Sequence, residues 1–158
     1  MPALLDNIRS QPAILSRLVN EWRSRPLPEC RPPVVLTGMG SSLFAAYPAY
    51  LRMSNAGLDA RLWETAELLH YGMEAIPREA TVVMVSQSGA TAEILALRER
   101  LGPAHHVIAV TNEPNSALAR HSSQVLLLGC PSQSLAADRK STRLNSSHIQ
   151  KSRMPSSA

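Results

Sequence analysis

The feature that most constrains this chain is an apolar strand that stops on a polar turn and restarts as a helix. Thr81-Val82-Val83-Met84-Val85 has the length and composition of a buried strand. Ala92 to Leu101 follows with helical spacing. Between them lie Ser86-Gln87-Ser88-Gly89-Ala90-Thr91, which offer three hydroxyls, an amide and a glycine that leaves the backbone accessible. Helix N-termini carry unpaired N–H groups and a partial positive charge, so a turn placed there suits an anion, above all a phosphate. Ser and Thr are also ordinary helix caps. A cap uses one hydroxyl, however, and this turn offers three.

The rest of the chain repeats the same unit. Val34-Val35-Leu36-Thr37 is a short buried strand, Gly38-Met39-Gly40-Ser41-Ser42 a polar turn, and Leu43 to Tyr47 opens a helix with Pro48 inside or near it. The spacing is G-x-G-S-S, so it matches the G-x-G-x-x-G dinucleotide fingerprint only superficially. Asp59 or Glu64 at the ribose position is then a coincidence. Three further strands are expected at Ala60–Trp63, His106–Val110 and Gln124–Leu128. A short helix over Thr65–Tyr71, capped by Thr65, and another over Ser116–Arg120 separate them.

Apolar strands alternating with helices at short connections argue an α/β fold. The expectation is a three-layer αβα sandwich around a five-stranded parallel sheet in the flavodoxin-like order 2-1-3-4-5. In that order the topological switch lies between the first and third strands, and ligands bind outside their carboxyl ends. Both serine-rich turns follow those two strands. Loop chemistry and topology therefore place one site in one crevice.

Residues 1–32 read as leader helices and a linker. The helical stretch over 3–25 is interrupted at Pro12, which suits the first turn of a second helix, and Pro26 to Pro33 form the linker. The domain proper is expected over 33–137. From 138 to 158 the periodicity stops and Ser and basic residues take over, which reads as a disordered basic tail of foreign sequence. Both lysines of the chain, Lys140 and Lys151, lie in that tail. The formal charge of +4 comes from there too. Residues 139–158 hold five of the 16 basic residues and none of the 12 acidic ones, so the preceding residues are net −1. The domain has no basic stripe for nucleic acid. No apolar run approaches the length of a membrane span. Cys30 and Cys130 lack metal or redox spacing, and the N-terminus has no signal-peptide pattern. Both points suggest a cytoplasmic location.

With these turns in view, the chain resembles the SIS (sugar isomerase) family, most like the first SIS domain of the isomerase half of glucosamine-6-phosphate synthase and related amino-sugar isomerases and deaminases. Gly38-Met39-Gly40-Ser41-Ser42 resembles the family's first phosphosugar loop. Ser86-Gln87-Ser88-Gly89-Ala90-Thr91 is similar to its S-Q-S-G-E-T signature, with Ala90 where Glu is usual. Thr111-Asn112-Glu113-Pro114-Asn115-Ser116 resembles its third element, and Asn7 to Pro12 its leader helix. The resemblance implies a sugar phosphate as partner, a hexose 6-phosphate or amino-sugar phosphate, held by Gly40, Ser41, Ser42, Ser86, Gln87, Ser88, Gly89 and Thr91. Glu67 would stand behind that shell.

The resemblance also implies a homodimer, no cofactor and no metal. It puts no catalytic residue in this chain, because the family's acid–base groups come largely from a second SIS domain. The expected function is a phosphosugar-binding fragment of an aldose–ketose isomerase or amino-sugar deaminase. The alternative is a phosphosugar-sensing module without catalysis. Sensors of that kind carry a DNA-binding helix-turn-helix ahead of the domain. Residues 1–32 show one broken helix and no basic patch, which favours the enzyme lineage.

The remaining candidates read as structural. His105, His106 and His121 are expected at the surface and His70 in helix packing. Trp22 and Trp63 are isolated aromatics suited to packing.

Overall fold

In the computed structural model of the chain, residues 2–26, 28–103 and 105–130 are described. The tail expected at 138–158 lies outside the described residues. The chain divides into two units, one of residues 1–24 and 130–158, the other of residues 25–129.

In the first unit, α1 runs unbroken over Pro2–Arg23 with Pro12 inside it. The expected break at Pro12 does not occur. Proline removes one N–H and crowds the carbonyl four residues back, but a helix of 22 residues keeps its other hydrogen bonds and continues past it. Leu18 is buried, whereas Leu5, Ile8, Leu15 and Val19 are exposed.

The second unit is an α/β domain. Its strands are β1 (Val34–Gly38), β2 (Ala60–Glu64), β3 (Thr81–Val85), β4 (His106–Thr111) and β5 (Gln124–Leu127). They form one sheet in the order β2-β1-β3-β4-β5, with every pairing parallel, as the sequence predicted. The interior strand β1 is buried throughout, whereas the edge strand β5 alternates between half-buried and exposed. Apolar runs of β-branched residues suit strands covered on both faces. At an edge one flank has no neighbouring strand, which leaves Val125 and Leu127 partly in solvent.

Side chains alternate across the sheet and build two clusters. On one face Val35, Val82, Met84, Val107 and Ala109 meet Leu68, Leu69, Ile94, Leu97, Leu101 and Leu118. These last come from α3 and its continuation, from α4 (Ala92–Leu101) and from α5 (Ala117–Arg120). On the other face Val34 and Leu36 meet Ala46, with Tyr50 and Met53 of α2 (Ser41–Asn55) beside them. Each fully buried large apolar side chain contributes roughly 1.5–3 kcal/mol. The larger cluster therefore anchors α4, whose N-terminus bears on the site.

The helix expected over Thr65–Tyr71 is more irregular. α3 spans only Thr65–Glu67 and passes into a π turn at Leu68–Gly72 and a 3₁₀ turn at Met73–Ala75. A π turn misaligns backbone carbonyls, and the Arg100 guanidinium donates to the Leu69 carbonyl at 2.8 Å. Thr65 is not the cap. The Glu64 carboxylate accepts from the N–H groups of Ala66 at 2.7 Å and Glu67 at 3.1 Å. Thr65 is instead buried, and its hydroxyl lies 3.0 Å from that of Thr37.

Candidate functional site

The β1 and β3 ladder pairs Gly38 with Val85, so the two serine-rich turns leave the sheet side by side at its carboxyl edge. Strands so paired lie roughly 5 Å apart. Gly38 must be glycine because the start of α2 sits on it. A Cβ there would lie 2.9 Å from both the Leu43 nitrogen and the Ser42 carbonyl carbon. The amides of Ser42 and Leu43 turn back onto the carbonyls of Met39 and Gly40 at 3.0 and 3.1 Å. This turn therefore presents the hydroxyls of exposed Ser41 and half-buried Ser42, together with the Gly40 and Ser41 N–H groups.

In the second turn, Ser86 is buried and its hydroxyl accepts from the Gly89 N–H at 3.2 Å. The same hydroxyl lies 3.3 Å from that of Thr91. Ser88 accepts from the Ala90 N–H at 3.4 Å. Thus Ser86 braces the turn from inside, while Gln87, Ser88 and Thr91 are half-buried at its surface. Thr91 precedes α4 without capping it through its side chain. The N–H groups of Ala92, Glu93 and Ile94 have no acceptor among the described residues.

The third turn, Thr111 to Ser116, differs in kind. The Ser116 hydroxyl caps α5 by accepting from Ala119 N–H at 3.2 Å, and the Leu118 N–H donates to the Gly89 carbonyl at 3.1 Å. The N-terminus of α5 is therefore occupied by the protein itself. α2 and α4, which rise from the two serine-rich turns, have no side-chain cap. The two uncapped helix starts are thus those that follow the paired strands β1 and β3.

Glu67 is exposed on α3, three residues beyond Glu64, and its N–H is bound by the Glu64 carboxylate. Glu64 pairs with Gly38 in the ladder, so it does stand at the carboxyl edge, but its carboxylate is engaged as a cap. Asp59 pairs with Arg61 at 3.4 Å, outside the site. His105 and His106 stand at the start of β4, at the opposite end of the sheet. His106 is not a surface residue as expected, since its Nε2 is buried without a partner among the described residues. His70 is exposed on the π turn, with the Tyr71 ring 6.2 Å away, and takes no part in the apolar clusters. Trp63 packs against the larger cluster, as its isolation suggested.

Two clefts lie elsewhere. One of about 610 Å³ at the amino end of the sheet is bounded by Glu29, Arg31, Pro32, Glu79, Thr81 and His106. The other, of about 540 Å³, is bounded by α4 and α5 residues including Arg98, Glu99 and His121. Volume alone would favour them. The first is flanked by two carboxylates, Glu29 and Glu79, the former paired with Arg31 at 2.9 Å, and lies at the opposite end of the sheet from the two serine-rich turns. The second is edged by Glu99 and lies at the carboxyl end of α4, the negative end of its dipole. The donor set, and not the void, decides where an anion binds. Among the described residues no group of three His, Cys, Asp or Glu side chains could hold a metal.

The SIS domain family model matches residues 29–145. The chain belongs to the SIS domain family. Arabinose 5-phosphate isomerase of Escherichia coli is 32% identical over 100 residues, 63% of this chain and 32% of that protein. Glutamine–fructose-6-phosphate aminotransferase of Bradyrhizobium diazoefficiens is 32% identical over 101 residues, 61% of this chain and 16% of that protein. This SIS chain thus spans about a third or less of the length of these curated relatives. Among solved structures, an E. coli CFT073 protein in complex with arabinose 5-phosphate has a TM-score of 0.62 at 22% identity, covering 94% of this chain and 92% of that one. Glucosamine-6-phosphate deaminase from Thermotoga maritima has a TM-score of 0.65 at 19% identity, covering 82% and 40%. At such identities the likeness is one of fold. Among the described residues no helix is long and apolar enough to cross a membrane.

Proposed function

We propose that this SIS domain binds a sugar phosphate at the carboxyl edge of β1 and β3 and belongs to an aldose–ketose phosphosugar isomerase or amino-sugar deaminase. One observation carries the reading. Of the four strand-to-helix turns at that edge, the two that follow the paired strands β1 and β3 leave their helix N-termini without a side-chain cap, and the other two are capped by Glu64 and Ser116. The phosphate would take N–H groups at the start of α4 and hydroxyls of Ser88 and Thr91. Ser41, Ser42 and the Gly40 backbone would face it from β1, and Ser86 and Gly89 would hold the turn's shape. The names of the relatives support a phosphorylated pentose or hexose as the class of ligand.

Binding and turnover separate here. Moving a proton between adjacent sugar carbons needs a base within hydrogen-bond reach of it. Neither serine-rich turn contains an imidazole or a carboxylate. This favours a chain that binds without isomerising. Titration calorimetry with fructose 6-phosphate and arabinose 5-phosphate, beside a coupled isomerase assay, tests both halves. Binding with no turnover is expected. The absence of binding at millimolar ligand refutes the site, and robust turnover refutes the separation.

A further inference from the structure

We infer that Thr111 is a positioning residue of the phosphate turn, which it sets by holding the Gln87 carbonyl. The inference rests on the sugar-phosphate reading above. Thr111 ends β4 and is fully buried. Its hydroxyl donates to the Gln87 carbonyl at 3.1 Å and accepts from the Glu113 N–H at 3.3 Å. The Asn112 N–H donates to the same Gln87 carbonyl at 3.0 Å. Two residues on, the Gly89 carbonyl accepts from the Leu118 N–H at 3.1 Å. Two carbonyls of the turn are thus drawn toward the β4–α5 connection.

Peptide planarity gives this its consequence. In a trans peptide the C=O and the following N–H point in opposite directions, and the only cis bond among the described residues is Pro32–Pro33. Drawing the Gln87 carbonyl toward β4 therefore turns the Ser88 N–H the other way. β3 lies between β4 and β1, so that direction faces the Gly40–Ser42 turn. The Ser88 N–H has no partner among the described residues. The clamp thereby aims a free donor into the crevice. A threonine at a strand end is often present for β propensity alone. Here its hydroxyl is saturated across two segments, a role that valine of the same shape cannot fill.

The test compares Thr111→Val, Thr111→Ser and Thr81→Val in the full chain. Thr81 is equally buried, and its hydroxyl joins the Arg31 N–H and carbonyl at the far end of β3. Fructose 6-phosphate affinity should fall about tenfold or more in Thr111→Val, a loss on the scale of one hydrogen bond to a charged group. It should stay within about twofold of the parent in Thr111→Ser and in Thr81→Val, although Thr81→Val melts lower. Parent-like affinity in Thr111→Val overturns the inference, as does an equal loss in Thr81→Val. Amide hydrogen exchange on the ligand-free chain reads the clamp separately. Thr111→Val should accelerate exchange at Asn112 and Gly89 relative to the amides of β3, and unchanged rates overturn the clamp even if the parent binds no sugar phosphate. If Thr111→Val does not fold, Thr111→Ala replaces it with the same expectations.

Discussion

Gly89→Ala tests the geometry of the turn most directly. Gly89 has φ +57°, and a Cβ there would lie 2.3 Å from the Ser116 hydroxyl, 2.6 Å from its Cβ and 3.0 Å from the Thr111 hydroxyl. Two penalties follow. A left-handed conformation costs a non-glycine residue about 1–2 kcal/mol. Relief of the contact must push Ser116 aside, and Ser116 caps α5 by accepting from Ala119. Loss of such a cap costs about 1 kcal/mol. The sum is roughly 2–3 kcal/mol, and for a domain of about 100 residues each kcal/mol lowers Tm by about 4–8 °C. A drop of roughly 10–20 °C is expected in a calorimetric or circular-dichroism melt.

The collision can be separated from the backbone strain. Ser116→Gly removes the offending atoms, and glycine is a tolerable cap that costs only a few tenths of a kcal/mol. The double variant Gly89→Ala/Ser116→Gly should therefore melt above Gly89→Ala, although Ser116→Gly alone is mildly destabilising. This sign reversal is the diagnostic outcome. Additive losses, or a Gly89→Ala chain that melts like the parent, would refute the packing of the two turns described here.

Other expectations are quickly measured. Thr37→Val strands the buried Thr65 hydroxyl that lies 3.0 Å away and should cost about 1–3 kcal/mol in urea unfolding, whereas the double Thr37→Val/Thr65→Val should cost less than the two singles together. Leu97→Ala, at a fully buried position on α4, should cost about 2–5 kcal/mol. Burial pushes the Cys30 thiol above its ordinary 9.0, so it ionises later in the folded chain than in the unfolded one. Stability should then decline as pH rises past that value, and Cys30→Ser should remove that part of the decline in pH-dependent melts. Phe44, Tyr47 and Leu51 form an exposed stripe along α2, and if the homodimer that the family resemblance implies uses this stripe, Phe44→Ser should weaken it by light scattering.

The sequence by itself determined the class of fold, the strand order and the edge at which the two serine-rich turns fall. Those features rest on local chemistry. Apolar runs of strand length in β1, β3 and β4 need cover on both faces, short helices supply it, and the right-handed crossover rule leaves few arrangements. The polar turns at 38–42 and 86–91 then fall at one edge whatever the details.

The tertiary structure alone decided what each hydroxyl does. Ser86, Ser88 and Thr91 read alike in sequence, yet Ser86 is buried inside the turn and the other two stand at its surface. Thr65 looks like a cap, but Glu64 takes the exposed amides, while Thr65 faces Thr37 across the β1–β2 register. Thr111 and Ser116 reach Gln87 and Gly89 across more than twenty residues of chain. No periodicity or spacing records such contacts, because a hydrogen bond between distant segments depends on where packing brings them and leaves no local signature.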